Sequence, residues 1–421
     1  MTTLIIGILL LLLALYGTSL FVIIGAIALL AFTFADINTS SIIIELYRLS
    51  KQPVLLAIPL FTFAGYLLAE SNTPKRLVNL SRAFFGWVPG GLAIVTLVSC
   101  AIFTAFTGAS GVTIIALGGL LYPVLQAEKY PEKFNLGILT ASGNLGLLFP
   151  PSLPIILYGL VAKTSIDQLF IAGVIPSILM VGMLSVYSVI YMRKIHTDIE
   201  PFTWKNTIQA VKEAAWEIPL PFIVIGGIYL GFFTATEAAA VTAFYVLIVE
   251  VFIYRDINLK TGLPKVIRDS MVLVGGILVI LSTALGLANY MIDAEIPMRI
   301  LEWMQTFISS KLAFLLVLNL FLLVVGALMD IFSAIMVVVP LIIPIASEFG
   351  IHPVHLGIIF LANLGIGYST PPVGMNLFIA SFRFEKPVLK LYVATIPFLI
   401  ILLAALLLIT YIPDLSLWLV D

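Results

Sequence analysis

Apolar runs broken by short polar stretches set the plan of this chain. The breaks fall at residues 47–52, 71–82, 126–135, 162–168 and 192–217, then at 254–269, 292–302, 347–355 and 382–390. The runs between them are about 20 residues long or multiples of that, the length an α-helix needs to cross a hydrocarbon layer of about 30 Å. Two breaks are rich in cations: Arg193, Lys194, Lys205 and Lys212 in one, Arg255, Lys260, Lys265 and Arg268 in the other. The positive-inside rule places both on the cytoplasmic side. The apolar stretch joining them, residues 218–253, is too long for one crossing, so it must bend back, and the pattern puts the bend at 231–236. Segments 36–52 and 255–269 read as amphipathic arms along the interface that brace a scaffold.

One plan occurs twice. Asn144-Leu145-Gly146 followed by Pro150-Pro151 recurs as Asn363-Leu364-Gly365 followed by Pro371-Pro372, at offsets of 219 and 221 positions. Gly17-Thr18-Ser19 pairs with residues 231–236, and a hairpin around Gly108 with one around Gly326. This divides the chain into repeats over 1–210 and 211–421. If the second starts in the cytoplasm, the first starts outside, where the tip Met1-Thr2-Thr3 carries no basic side chain. Lys75, Arg76 and Arg82 then fall inside, while Arg48 and Lys51 fall outside, against the rule. The expectation is an all-α polytopic membrane protein of inverted repeats with a periplasmic N-terminus. Inverted repeats with broken helices at the midplane are the recurring plan of secondary transporters. No basic stretch and small-residue cleavage site mark a signal peptide, so the first segment reads as part of the mature chain.

Two kinds of segment carry candidate chemistry. Residues 139–160 and 361–381 read as interrupted transmembrane helices, because prolines remove amide donors and glycines let the backbone unwind. Freed carbonyls suit a hard cation, and the half-helix that follows offers amides and positive dipole to an anion. Residues 101–121 and 322–345 read as re-entrant hairpins whose small-residue tips can pack on those interruptions. Kinked packing alone gives glycine and proline a bland alternative role. Ser142, Asn144, Asn363 and Asn376 are candidate substrate contacts or equally helix–helix glue. Asp330, a costly midplane carboxylate, reads as a substrate or cation-coupling residue or as a capping acid. Glu237 in Thr234-Ala235-Thr236-Glu237 reads as helix capping.

Composition narrows the classes. The 421 residues are 61% hydrophobic and 10% charged, with a formal net charge of −1. Soluble domains carry about 25% charged residues, so most of this surface faces lipid. No basic field recruits nucleic acid. One cysteine, Cys100, and three scattered histidines leave no disulfide, thiolate cage or histidine metal site. No catalytic constellation lies within a span, so an enzyme is not expected.

Residues 57–65 (Ala-Ile-Pro-Leu-Phe-Thr-Phe-Ala-Gly), Gly146 to Ser152, Tyr158-Gly159, Ser165-Ile166, Gly231 to Val241 and residues 370–374 together resemble the large, dicarboxylate-type M subunit of tripartite ATP-independent periplasmic (TRAP) transporters. The resemblance runs from about Gly17 to about Ser381. It implies the elevator fold of the ion-transporter superfamily, in which a transport domain with two hairpins slides against a scaffold in the bacterial inner membrane. It implies Na+-driven uptake of a small carboxylate, such as a C4-dicarboxylate or sialic acid, with a small four-helix membrane subunit and a periplasmic substrate-binding protein. It further implies two Na+ sites: Thr107 and Ser110 with backbone at Gly146, Phe149 and Pro151, and Gly326 with Gly367, Thr370 and Val373. Two departures stand out. Thr107-Gly108-Ala109-Ser110 replaces the common Ser-Gly-Ser, and Ala235 stands where proline is usual. No fused small subunit is evident, so that partner is expected as a separate chain. A stand-alone sodium/divalent-anion symporter and a structural membrane subunit are the competing readings.

Overall fold

Prolines and polar caps fix where the helices begin. Thr73–Phe85, Leu153–Ala162, Pro219–Tyr229 and Pro353–Gly367 each carry a proline in the first turn, where its missing N–H costs nothing. The computed structural model describes residues 12–13, 18, 20–35, 37–40, 43–44, 47, 51–88, 90–193, 202–305, 308, 310–371 and 373–420. The expected bend at Gly17, the N-terminal tip, most of the 36–52 arm, Arg48, Lys194 and Pro372 lie outside them.

In chain order the helices are α1 (Leu20–Phe34), α2 (Ala57–Glu70), α3 (Thr73–Phe85), α4 (Gly91–Thr107), α5 (Ser110–Ala127), α6 (Glu132–Ser142), α7 (Leu153–Ala162), α8 (Ile166–Met192), α9 (Trp204–Glu213), α10 (Pro219–Tyr229) and α11 (Ala235–Ile248). They continue as α12 (Gly262–Asp293), α13 (Ile296–Gln305), α14 (Lys311–Leu328), α15 (Ile331–Glu348), α16 (Pro353–Gly367), α17 (Met375–Phe384), α18 (Val388–Tyr411) and α19 (Asp414–Leu417). Among the described residues, seven helices are long and apolar enough to cross a membrane: α5, α8, α11 with its π-helical extension to Ile253, α12, α14, α15 and α18. No strand occurs among the described residues. The long apolar run does turn at 231–236: Gly231 sits at φ +73°, and a capping box follows in which Glu237 N donates to Thr234 Oγ1 and Thr234 N donates to Glu237 Oε2 at 2.8 Å. The arm expected at 255–269 is not a separate helix. From Gly262 onward it is the first part of α12, which Pro264 in the first turn lets start there and which then runs unbroken to Asp293.

The order hairpin, interrupted helix, long helix occurs twice: α4–α5, α6/α7, α8, then α14–α15, α16/α17, α18. Lys311 stands 220 positions after Gly91, Ile331 and Pro353 stand 221 after Ser110 and Glu132, and Met375 and Val388 stand 222 after Leu153 and Ile166. The two sets interlock. Hairpin helix α15 packs on α7 and hairpin helix α5 packs on α17, so each hairpin lies against the second half-helix of the other set. Around them, α1, α2, α11 and α12 pack on one another. Fully buried Phe103, Tyr158, Phe170, Phe314, Phe360 and Phe398 draw both sets into one core.

Ion pairs gather the cation-rich connections at one end. Asn72 and Arg76 bond Asp256, Arg76 pairs with Glu217 and Glu250, Lys265 with Glu70, and Arg82 with Glu128 at 3.4 Å. Lys386 and Lys390 both pair with Glu132 and hold its carboxyl well below the ordinary value, at about 2. The connections at 71–82, 126–135, 202–217, 254–261 and 382–390 therefore share a face.

Candidate functional site

Helix α4 stops at Thr107 because Gly108 takes a left-handed conformation, φ +64°, and α5 restarts at Ser110. The tip lies on the interruption between α6 and α7. At Gly146 the backbones touch: a Cβ there would sit 2.2 Å from Ala101 O and 2.5 Å from Ala105 N, so only glycine permits the approach. Thr104 Oγ1 lies 2.6 Å from Thr113 Oγ1 across the hairpin and donates to Gly143 O at 3.1 Å. Thr107 Oγ1 is enclosed and has no hydrogen-bond partner, with the residue 2% exposed. A buried hydroxyl without a partner costs about 1–3 kcal/mol unless something binds it. Phe149 and Pro151 stand in the same interruption, before Ser152 opens α7.

The second hairpin repeats this contact on the interruption between α16 and α17. A Cβ on Gly367 would lie 2.7 Å from Gly326 Cα, and one on Gly326 would lie 3.2 Å from Gly367 Cα. Gly374 N donates to Ala327 O at 2.9 Å, and Ile331 N donates to the Tyr368 hydroxyl. Thr370 Oγ1 donates back to Ile366 O at 2.9 Å, and Val373 is exposed. Gly326 and Gly367 thus touch, with Thr370 O 2.7 Å from where a Cβ on Gly374 would lie, while Gly146 touches α4 at Ala101 and Ala105, just before Thr107.

The five candidate substrate contacts divide. Asn144 and Asn376 meet: Asn376 Nδ2 donates to Asn144 Oδ1 at 2.7 Å, Ser110 Oγ donates to Asn376 Oδ1 at 2.8 Å, and Asn144 Nδ2 donates to Ser369 Oγ at 2.9 Å. Ser142 Oγ bonds back to Leu139 O at 3.2 Å. Asp330 caps α15, its Oδ1 accepting from Phe332 N and Ser333 N at 3.0 Å each while Ser333 Oγ donates to Oδ2. Asn363 stands apart and donates to Asn319 Oδ1 at 2.7 Å, in a network that reaches Thr410. The packed glycines explain the separation. Gly146 on Ala105 corresponds to Gly367 on Gly326, an offset of 221, so the Asn-Leu-Gly match at 219 is two positions out of register. Thr104, Thr113, Tyr368 and Ser369 also bond at these junctions and were not among the candidates read from the sequence. Thr104, one turn before Thr107, was open to detection by helical spacing; Ser369 carried no signal beyond polarity within an interruption.

Neutral oxygens and close-packed glycines at two hairpin–interruption junctions, inside an apolar helical body, define a polytopic membrane carrier subunit. The chain belongs to the family described as the DctM component of tripartite ATP-independent periplasmic transporters, which it matches over residues 4–415. It is 37% identical to the C4-dicarboxylate TRAP transporter large permease protein DctM of Pseudomonas aeruginosa, over 93% of this chain and 92% of that one. It is 31% identical to the ectoine/5-hydroxyectoine large permease UehC of Ruegeria pomeroyi, over 92% and 91%. It is 36% identical to the isethionate permease DctMQ of Oleidesulfovibrio alaskensis, over 85% of this chain and 57% of that longer one. Among solved structures the Alcanivorax borkumensis YdaH transporter shares the fold, with a TM-score of 0.60 and 15% identity over 86% of this chain and 84% of the other. The chain is accordingly a multi-pass large-permease subunit of a TRAP transporter, and its relatives are permeases rather than enzymes. Members of this family work with a small membrane subunit and a periplasmic binding protein.

Proposed function

We propose that this chain is the Na+-driven, elevator-type transport subunit of an importer for a small organic acid handed over by a periplasmic binding protein. The observation that carries the reading is Thr107 Oγ1, enclosed and unpartnered at the tip of the first hairpin. A cation held by neutral oxygens satisfies such an atom without the carboxylates that a divalent ion demands. Thr107, Ser110 and backbone at Gly146, Phe149 and Pro151 form the first site. Gly326, Gly367, Thr370 and Val373 form the second, with Asp330 fixing the start of α15 beside it.

Sodium organises both junctions and completes a pocket for the acid at the N-terminal ends of α7 and α17, where helix dipole favours negative charge. The loaded hairpins and interrupted helices then move as one body against α1, α2, α11 and α12. Repeats over 1–210 and 211–421 with opposite orientation supply the symmetry of the two end states. The relatives' named cargoes include a dicarboxylate, a sulfonate and a zwitterion, so the site reads a small anionic group and the binding protein supplies selectivity. A separate small membrane subunit completes the complex in the inner membrane, with the N-terminus in the periplasm.

Uptake of labelled organic acids into proteoliposomes tests this reading, with the chain, the small subunit and the binding protein omitted in turn. The expected result is uptake that needs all three proteins and an inward Na+ gradient. Uptake that persists when choline replaces Na+ rejects sodium coupling. Uptake by this chain alone assigns it to the stand-alone symporters.

A further inference from the structure

A serine hydroxyl that donates its proton to a fixed acceptor keeps its lone pairs for another partner. Ser110 Oγ donates to Asn376 Oδ1 at 2.8 Å, Asn376 Nδ2 donates to Asn144 Oδ1 at 2.7 Å, and Asn144 Nδ2 donates to Ser369 Oγ at 2.9 Å. All four residues are buried, none more than 4% exposed. Each amide is engaged at both its oxygen and its nitrogen. The four side chains form one line from the first hairpin to the start of α17, across to the first interruption and back to the second. Its far end, Ser369, follows Tyr368, whose hydroxyl accepts from Ile331 N of the second hairpin.

The line has two self-consistent polarities. Turning both amides over makes Ser369 the donor and Ser110 the acceptor, with every link kept. In that polarity Ser110 spends a lone pair on Asn376. A cation on Ser110 therefore favours the polarity in which Ser369 accepts, because both lone pairs of Ser110 are then free for it. This is a two-state element biased from one end and read at the other, next to Thr370, which is what coupling between distant sites requires.

We propose that Ser110, Asn376, Asn144 and Ser369 form a relay that couples the two cation sites. Asn144 and Asn376 are positioning residues in it, not ligands of the transported acid. The proposal rests on the sodium reading above.

The test is thermal unfolding of the purified full-length chain in detergent across a NaCl titration, with choline chloride holding ionic strength constant. The wild-type chain is expected to gain stability with a Hill coefficient above 1. Ser369→Ala brings the coefficient to 1 and raises the half-saturating Na+ about fivefold or more, the low end of typical coupling, with Tm in choline lowered by the unpaired Asn144 amide. Ser369→Thr keeps the hydroxyl and restores wild-type behaviour. Asn144→Ser, too short to span both neighbours, gives the same shift as Ser369→Ala. The double variant is no worse than either single one, because one cut disables a line. A relay that only braces the fold lowers Tm equally with and without Na+ and leaves the Hill coefficient alone. That result, or a wild-type coefficient of 1, overturns the relay and leaves sodium binding standing. No Na+-dependent stabilisation of the wild-type chain overturns the sodium reading itself.

Discussion

Thr107 puts the sodium reading at risk with a single atom. Its hydroxyl is buried without a partner, so Thr107→Val, which has the same shape, removes an unsatisfied group and nothing the empty fold uses. Stability in choline should hold or rise, while the half-saturating Na+ increases about tenfold, equal to ~1.4 kcal/mol of lost cation binding. Unchanged sodium dependence of Tm in that variant removes Thr107 from the site. The hairpin tip that holds Thr107 was legible because its signal is local, a run of small polar residues around Gly108; a cation role for Thr107 came only from the family resemblance. The first Pro-Pro pair and the bend at Gly231 were legible for the same reason. The Asn144–Asn376 contact joins residues 232 positions apart, and no spacing rule reaches that far. Asn363 misled because a three-residue match, Asn-Leu-Gly, carries less register information than the backbone contacts of Gly146 and Gly367. Asp330 was correctly suspected of special treatment, but its cost at depth is met locally by two amides and a serine hydroxyl.

Elements of the surrounding body are joined by one side chain. Arg76 on α3 gives Nε–H to Glu217, Nη1 to Asp256 at 2.7 Å and Nη2 to Glu250 at 3.0 Å, and its guanidinium lies 3.8 Å from the centre of the Tyr254 ring. The planar fork, with five donors, is what lets a single cation serve three carboxylates from three segments. Burial shapes the energetics: Glu217 and Glu250 are 3% and 0% exposed. Removing the cation strands charge in a medium that cannot solvate it, so Arg76→Leu should destabilise the chain by about 3–5 kcal/mol. Arg76→Lys should recover little of that loss, since an ammonium cannot reach all three partners or stack on the ring as the plane does. Equilibrium unfolding in mixed micelles measures both. A lysine variant as stable as wild type shows that charge alone, rather than the fork, holds these segments. The break pattern told that 71–82, 192–217 and 254–269 share a side. That a single arginine joins them was not readable, because charge runs on a solvated face look the same in sequence.

At the scale of the whole molecule, charge asymmetry orients the fold. The connections that the ion pairs gather at one end carry 12 of the 21 Lys and Arg, and Lys265 of α12 pairs with Glu70 at that end. Lys163 closes α7 at the opposite end, in a cavity of about 580 Å³ lined also by Gln52, Thr236 and Asn289. On the orientation proposed above, Lys260 lies in the cytoplasm and Lys163 in the periplasm. The transport reading depends on this, because a binding protein can deliver its acid only to the periplasmic face. The chain's one native thiol, Cys100, is buried, so introduced cysteines report position without background. In intact spheroplasts a membrane-impermeant maleimide should label Lys163→Cys and spare Lys260→Cys until the membrane is opened. The reverse pattern turns the fold over, moves the Arg76 cluster to the periplasmic face, and leaves the cavity at Lys163 facing the cytoplasm.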